Sequence, residues 1–283
     1  MQVTKQIKSF GGDIHKLSHE SAVLKTPMNL NVFLPPQPER APVLFYLAGL
    51  TCTGDNGLEK GGFLGAAAKH NIALVFPDTS PRTKTELVGA TGAREHENWD
   101  FGSGAGFYVD ATAAPWSEHY RIESYVVDEL PKLLAAQYPS LDFSRVSLFG
   151  HSMGGHGALT LFLRHPGKYR SVSAFAPVSH PTNCPWGHKA FTNYLGSVEA
   201  GKAHDASLLL RAAVAEGRLN ASSPKILVDQ GLADQFYKDG QLQGESLESP
   251  CSEVRMHEGY DHSYFFISTF GAEHVEHHAK YLK

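Results

Sequence analysis

Gly150-His151-Ser152-Met153-Gly154 sets a serine at the centre of a G-x-S-x-G. A serine hydroxyl is a weak nucleophile at neutral pH and becomes reactive only when a base takes its proton. The surroundings of the motif matter more than its letters. The apolar run Val146 to Phe149 precedes it and reads as a buried strand, and Gly154 to Leu163 reads as a helix after it. A strand–turn–helix junction of this kind raises a serine on a sharp, strained bend. Side chains two positions to either side of that serine would collide, which accounts for Gly150 and Gly154. Gly155 and Gly157 let the helix approach the sheet. The competing reading is a glycine-rich helix start with Ser152 as its cap.

One established chain order for such a site runs serine, acid, histidine. Ten of the sixteen histidines follow Ser152. His257 falls at the end of the last expected strand, and His274, His277 and His278 fall on a closing helix. His262 alone lies in the loop between them, Glu258-Gly259-Tyr260-Asp261-His262-Ser263, where an imidazole can hang over the serine and serve as general base and then general acid. For the acid, Asp229, Asp234 and Asp239 compete. Asp229 closes a strand and suits a structural part, whereas Asp234 sits out on the loop, free to reach the imidazole. Spacing alone favours Asp234 over Asp229 without excluding either.

A tetrahedral intermediate needs two donors for its oxyanion. One is the backbone N–H of Met153, the residue after the nucleophile. The other comes from the loop Ala48-Gly49-Leu50-Thr51-Cys52 and is assigned to Leu50 N–H, with Gly49 allowing the turn. Cys52, two positions further on, gives a hypothesis: its oxidation or alkylation would block the site. The alternative is a small buried hydrophobe. His274, His277 and His278 recur at i, i+3, i+4, a spacing that can ligate metal. No cysteine or clear carboxylate completes a catalytic set, and terminal helices often carry exposed histidines, so no metal is expected.

The elements that must hold these groups follow from the hydrophobic pattern. Gln2 to Phe10, His15 to Ser21 and Asn29 to Leu34 read as strands divided by turn signals, which predicts antiparallel hairpins. Val43 to Leu47, Ile72 to Phe76, Val146 to Phe149, Val172 to Phe175, Ile226 to Val228 and Val254 to Met256 read as further strands, the first three as runs buried on both faces. Glu59 to His70, Ile122 to Tyr138 and Tyr264 to Leu282 read as helices, with Pro131 expected to kink or break the second. Alternating strands and helices predict an α/β fold with a mostly parallel central sheet, antiparallel strands at its N-terminal end and helices on both faces. Asp78 to Tyr120 and Pro177 to Gly201 show no regular period and read as long irregular covers, or else as insertions packed on their own aromatics.

The 283 residues carry 25 Lys and Arg against 29 Asp and Glu, a formal charge of −4. With 42% hydrophobic and 19% charged residues the composition is that of a folded chain, not a disordered one. The acidic balance argues against nucleic acid or an anionic membrane as partner. Three cysteines, Cys52, Cys184 and Cys251, make no disulfide framework and fit a reducing compartment. No apolar run of transmembrane length and no targeting segment is evident, so the expected location is the cytoplasm.

The chain resembles the S-formylglutathione hydrolase (esterase D) family of the α/β-hydrolase superfamily from about Lys8 to Leu282. The resemblance is carried by Leu47-Ala48-Gly49-Leu50-Thr51-Cys52-Thr53, Asn98-Trp99-Asp100-Phe101-Gly102 through Gly106 to Thr112, Phe149 to Ala158, Cys184-Pro185-Trp186-Gly187, Lys189-Ala190-Phe191 and Glu258 to Phe266, with a closing His277 to Leu282. It implies an α/β-hydrolase fold in a single domain over residues 1–283. It also implies hydrolysis of S-formylglutathione to glutathione and formate by a Ser152–Asp234–His262 triad, no cofactor, and a cytosolic homodimer. A formyl group needs only a small acyl pocket, for which Trp186 and Trp99 are candidates. Lys189 is the candidate donor to the anionic glutathione part, against the alternative of an ordinary solvated lysine. A broad carboxylesterase acting on small acyl esters is the rival activity. Asp239 to Cys251 (DGQLQGESLESPC) departs from the family's pattern, being shorter and more polar than the helix expected there.

Overall fold

The computed structural model describes residues 1–82 and 99–283. Among the described residues one nine-stranded sheet runs through the molecule in the order β1-β2-β3-β5-β4-β6-β7-β8-β9. The strands are β1 Gln2–Ser9, β2 Gly12–Ser21, β3 Thr26–Leu34, β4 Pro42–Leu47, β5 Ala73–Pro77, β6 Asp142–His151, β7 Val172–Phe175, β8 Ile226–Gly231 and β9 Ser252–His257. The first three pair antiparallel, β3 pairs antiparallel with β5, and every later pairing is parallel. The expected α/β architecture is therefore present, and β4, β5 and β7 are buried along their whole length.

Alternation along β7 places the helices. Ser173 accepts and donates hydrogen bonds with His274 and His278 of the closing helix, Tyr264–Ala279. A Cβ on Gly155 of the elbow helix, Met153–Arg164, would instead lie 3.3 Å from the Cβ of the next residue, Ala174. Neighbouring residues of a strand point to opposite faces, so these two helices cover opposite faces of the sheet. Under the closing helix an aromatic cluster fills the core: Tyr46 lies 5.0 Å and Phe63 4.8 Å from Phe149, centroid to centroid, both edge-on. Among the described residues no helix is long and apolar enough to cross a membrane.

Several elements differ from expectation. The helix expected over Glu59–His70 is two, Gly54–Lys60 and Leu64–His70. Gly61 and Gly62 separate them, Gly62 at φ +74°, a left-handed conformation that interrupts the spiral. Ile122 to Gln137 runs on past Pro131 because the turn Tyr125–Glu129 widens to a π-helix and the proline enters the first turn of Leu130–Gln137, where a missing N–H costs least. Pro177 to Gly201 is not irregular: Pro185–Leu195 is a helix, begun by Pro185 and ended at Gly196 with φ +84°. The helix Ala206–Ala215 has no counterpart among the elements expected from the sequence. Between Asp239 and Cys251 only the 3₁₀ segment Gly244–Leu247 forms. Residues 83–98 of the long cover, Asn98 among them, lie outside the described residues. Its described remainder packs on aromatics, with Phe101 4.5 Å from Tyr194 and 4.8 Å from Trp116.

Candidate active site

Ser152 sits between β6 and the elbow helix at φ 58°, ψ −119°. A non-glycine residue held there carries about 1–3 kcal/mol of strain and needs surroundings that enforce it. Its N–H donates to Phe175 O at 2.9 Å, and its carbonyl accepts from His156 N at 3.0 Å and Val178 N at 3.2 Å. The glycines are sterically required. A Cβ on Gly150 would come within 2.3 Å of Gly154 O, and one on Gly154 within 2.0 Å of Leu47 O. Ser152 is not a mere cap, since its side chain makes no capping hydrogen bond.

Asp234 and His262 come from the loops after β8 and β9. The His262 Nδ1–H donates to Asp234 Oδ2 at 2.5 Å. The other carboxylate oxygen of Asp234, Oδ1, accepts from Phe236 N at 2.8 Å and Tyr237 N at 3.4 Å, so the group also caps the short helix Gln235–Lys238 and is fixed from both sides. The side chain of Asp234 is fully buried and that of His262 is 17% exposed. The imidazole reaches the elbow, its ring centroid 4.3 Å from that of His151, the residue before Ser152. It also meets Phe236 edge-on at 4.9 Å. Burial holds His151 well below the ordinary imidazole range, with His262 nearby acting in the same sense, so it is a neutral neighbour of His262.

Asp229 is occupied elsewhere. Arg255 donates to it through Nε and Nη2, both at 2.6 Å, and His274 donates through Nε2 at 3.1 Å. His257 Nε2 lies 3.2 Å from it, without hydrogen-bond alignment. Burial pulls this carboxyl upward, but the His274 and Arg255 hydrogen bonds outweigh it and hold it below the usual carboxylate range. The histidines of the closing helix are not exposed, contrary to expectation. His274 and His278 are fully buried and His277 nearly so. His274 accepts from Ser173 Oγ–H at 2.8 Å, His278 donates to the same oxygen at 2.8 Å, and Ser171 donates to His278 Nδ1 at 2.7 Å. Burial lowers both rings, and with them neutral and Asp229 ionised every proton in that chain has one direction. Among the described residues no group of three or more His, Cys, Asp or Glu is arranged to hold a metal ion.

The loop after β4 lies against the elbow: a Cβ on Gly49 would stand 3.1 Å from Ser152 Cβ. Among the described residues neither Leu50 N–H nor Met153 N–H meets a protein acceptor, which leaves both groups available to a ligand. Thr51 adopts φ +67°, unusual for a β-branched residue, and its N–H donates to Gly104 O at 2.9 Å. Cys52 is partly buried. Burial pushes its thiol up, against the opposing effects of a Tyr264 hydrogen bond and Arg82, so the reactive thiolate is scarce at neutral pH.

Trp99 and Trp186 meet edge-on at 5.7 Å, and Phe236 lies 4.8 Å from Trp186. Because Phe236 also touches His262, this aromatic wall adjoins that imidazole. Trp99 is 53% exposed, whereas Trp186 is buried. Lys189 is neither free nor simply solvated, as its Nζ lies 2.5 Å from Asp100 Oδ1. Sequence reasoning missed Phe236, whose only signal was its place two residues after Asp234.

The esterase family model matches residues 21–278. The chain is similar to the S-formylglutathione hydrolase of Mus musculus, 49% identical over 98% of each chain. It is also similar to that of Arabidopsis thaliana, 46% identical over 98% of this chain and 96% of the relative. Among solved structures, an S-formylglutathione hydrolase from Agrobacterium tumefaciens superposes with TM-score 0.89 at 41% identity, covering 100% of both chains.

Proposed function

The chain belongs to the S-formylglutathione hydrolase family of esterases, and from that premise we propose that it hydrolyses S-formylglutathione to glutathione and formate, as a single α/β-hydrolase domain over residues 1–283. The observation that carries the chemistry is the buried Asp234–His262 pair set against the Ser152 elbow. Ser152 Oγ adds to the formyl carbon as its proton passes to His262. Asp234 keeps the imidazole in the tautomer that can accept that proton and offsets the imidazolium charge. Leu50 and Met153 N–H groups take the oxyanion, a role in which one donor contributes about 2.7–4 kcal/mol. The C–S bond then breaks, and His262 returns the proton to the departing thiolate. Water, deprotonated by the same ring, adds to the formyl ester on Ser152. Collapse of that adduct releases formate and restores the hydroxyl.

A thioester suits these residues. Its carbonyl is poorly stabilised by resonance and thiolate is a good leaving group, so attack needs help and departure little. Trp99 and Trp186 wall the acyl side of the pocket, while the Lys189–Asp100 pair faces the glutathione part. Cys52 lies on the oxyanion loop, so an adduct on its sulfur would obstruct the site. A homodimer in the cytosol completes the reading. These steps use side chains, two backbone donors and water.

The test compares kcat/KM on S-formylglutathione with that on a small aryl acetate. A clear preference for the thioester is expected, and an equal or reversed preference replaces the proposal with a broad carboxylesterase. Ser152→Ala and His262→Ala should each lower kcat by about 10⁴-fold or more. Labelling of the wild type by a fluorophosphonate, retained in Ser152→Ala, would show that another residue is the nucleophile.

A further inference from the structure

The oxyanion loop Ala48 to Cys52 has no regular structure of its own, yet its main chain is tied down at almost every carbonyl. Tyr108 Oη–H donates to Ala48 O at 2.9 Å. Arg82 Nη2 donates to Thr51 O at 3.2 Å and to Cys52 O at 2.7 Å, and Thr79 Oγ1 donates to Cys52 O at 2.7 Å. The guanidinium cannot swing away, because its Nε lies 2.8 and 2.9 Å from the two carboxylate oxygens of Asp78. Asp78 is itself buried and accepts from Thr79 N at 2.7 Å. The clamped residues directly follow Leu50, and they include Thr51 in its left-handed conformation.

A peptide that can flip is the weak point of a backbone oxyanion donor. The Leu50 N–H belongs to the Gly49–Leu50 peptide, whose carbonyl accepts from Cys52 N at 3.2 Å, so rotating that unit would break its bond to the residue whose own carbonyl Arg82 and Thr79 grip. We propose that the Arg82–Asp78 pair is a positioning device for the reaction, holding the oxyanion loop in the conformation that presents Leu50 N–H above Ser152. Arg82 acts through the main chain of Thr51 and Cys52 and does not touch the reacting atoms. The proposal rests on the hydrolase reading given above. It differs from an ordinary structural ion pair in what its loss should cost: stabilisation of the tetrahedral adduct, not binding of the ground state.

Arg82→Met removes the donors with little change in length, and Arg82→Lys keeps one donor. Asp78→Asn leaves the arginine but loosens its anchor. Each variant would be assayed on S-formylglutathione and on an aryl acetate, with thermal unfolding followed alongside. Inhibition by a trifluoromethyl ketone, which captures the serine as a tetrahedral oxyanion, supplies a second readout. Arg82→Met should lose about a hundredfold in kcat on both substrates, the cost of a misplacement near 1 Å, with KM changed less than about threefold. Its affinity for the ketone should fall in parallel, and Arg82→Lys and Asp78→Asn should recover part of both losses. If folded Arg82→Met keeps kcat within about threefold of wild type, or loses only in KM, the brace is wrong. Should Arg82→Met unfold, Asp78→Asn and Arg82→Lys decide in its place, and unchanged kcat and ketone affinity in both overturn the proposal. Wild-type turnover of the aryl acetate without S-formylglutathione would sink the substrate assignment while leaving the brace testable on the ester.

Discussion

Asp229 and Asp234 are both fully buried and both held to a histidine, yet their other partners divide their roles. Asp234 spends one oxygen on His262 and the other on a helix cap, and pairs with no Lys or Arg among the described residues. Asp229 neutralises Arg255 and orients His274, joining β8, β9 and the closing helix. Asp234→Asn keeps the capping function, because asparagine caps as well as aspartate, but it favours the wrong imidazole tautomer. Its kcat should fall about 10⁴-fold with a melting temperature close to wild type. Asp229→Asn removes the buried one of Arg255's two counter-charges, leaving the exposed Glu273 at 2.7 Å, and should cost about 3 kcal/mol of stability, with kcat of the folded enzyme within about tenfold of wild type. Urea unfolding and steady-state kinetics on both variants decide the matter. A folded Asp229→Asn slower than Asp234→Asn would transfer the acid to Asp229. The strained turn at Ser152 and the loop that brings His262 to it were legible from local letters alone. Which aspartate meets that imidazole was not, because what separates the two is contributed by Arg255 and His274, residues 26 and 45 positions further along the chain.

The elbow shows how far a site depends on whole elements meeting at close range. Gly154 opens the helix after β6, and an added Cβ would strike the carbonyl of Leu47, the last residue of β4. The oxyanion loop begins at the next residue, so Gly154→Ala pushes nucleophile and oxyanion donor apart in one step. The variant should lose about 1–3 kcal/mol, as small-to-large changes in packed interiors do, and kcat by at least about tenfold. A stable, fully active Gly154→Ala would show that the strand can yield without disturbing the catalytic geometry. β4 and β5 were legible because a strand buried on both faces writes itself as an unbroken apolar run, whereas the more exposed β1 and β2 were marked by the turn signals between them. The helix Pro185–Leu195 was readable in principle, since its buried Trp186, Gly187, Ala190, Phe191 and Tyr194 recur at a helical period. Its N-cap disguised it: Cys184 is an unusual cap, accepting from Gly187 N through sulfur at 3.4 Å. The π turn before Pro131 left no signal in the pattern of apolar residues, because widening one turn satisfies the backbone without changing which residues face the core.

For the molecule as a whole, the unusual property is how many imidazoles the fold keeps neutral. His151, His156, His204, His274, His277 and His278 are all buried, and burial lowers each of them. His156 and His277 are each pushed down to about 4. In the unfolded chain these rings bind protons below the ordinary value of about 6.5. The unfolded state therefore takes up more protons than the native state across the window from 6.5 down to about 4. The stability these groups confer is complete above 6.5 and is lost as the pH falls through that window. Between pH 7 and 5, His156 and His277 should each remove about 2 kcal/mol, a large part of the roughly 5–15 kcal/mol typical of a folded domain. Asp229 acts in a separate, more acidic window: its lowered carboxyl stabilises the fold above the normal carboxylate value and loses that effect only below it. Urea unfolding at pH 7, 6 and 5 should show a steep fall in stability before the Asp229 carboxyl titrates. The denatured chain should take up several protons relative to the native one at pH 5.5. His156→Gln, which substitutes a neutral side chain where the fold demands one, should flatten the fall even if it weakens the protein at pH 7. Stability that is level from pH 7 to 5 would mean that these rings already carry protons inside the fold, and the directed chain from Asp229 through His274, Ser173 and His278 would then have to be redrawn.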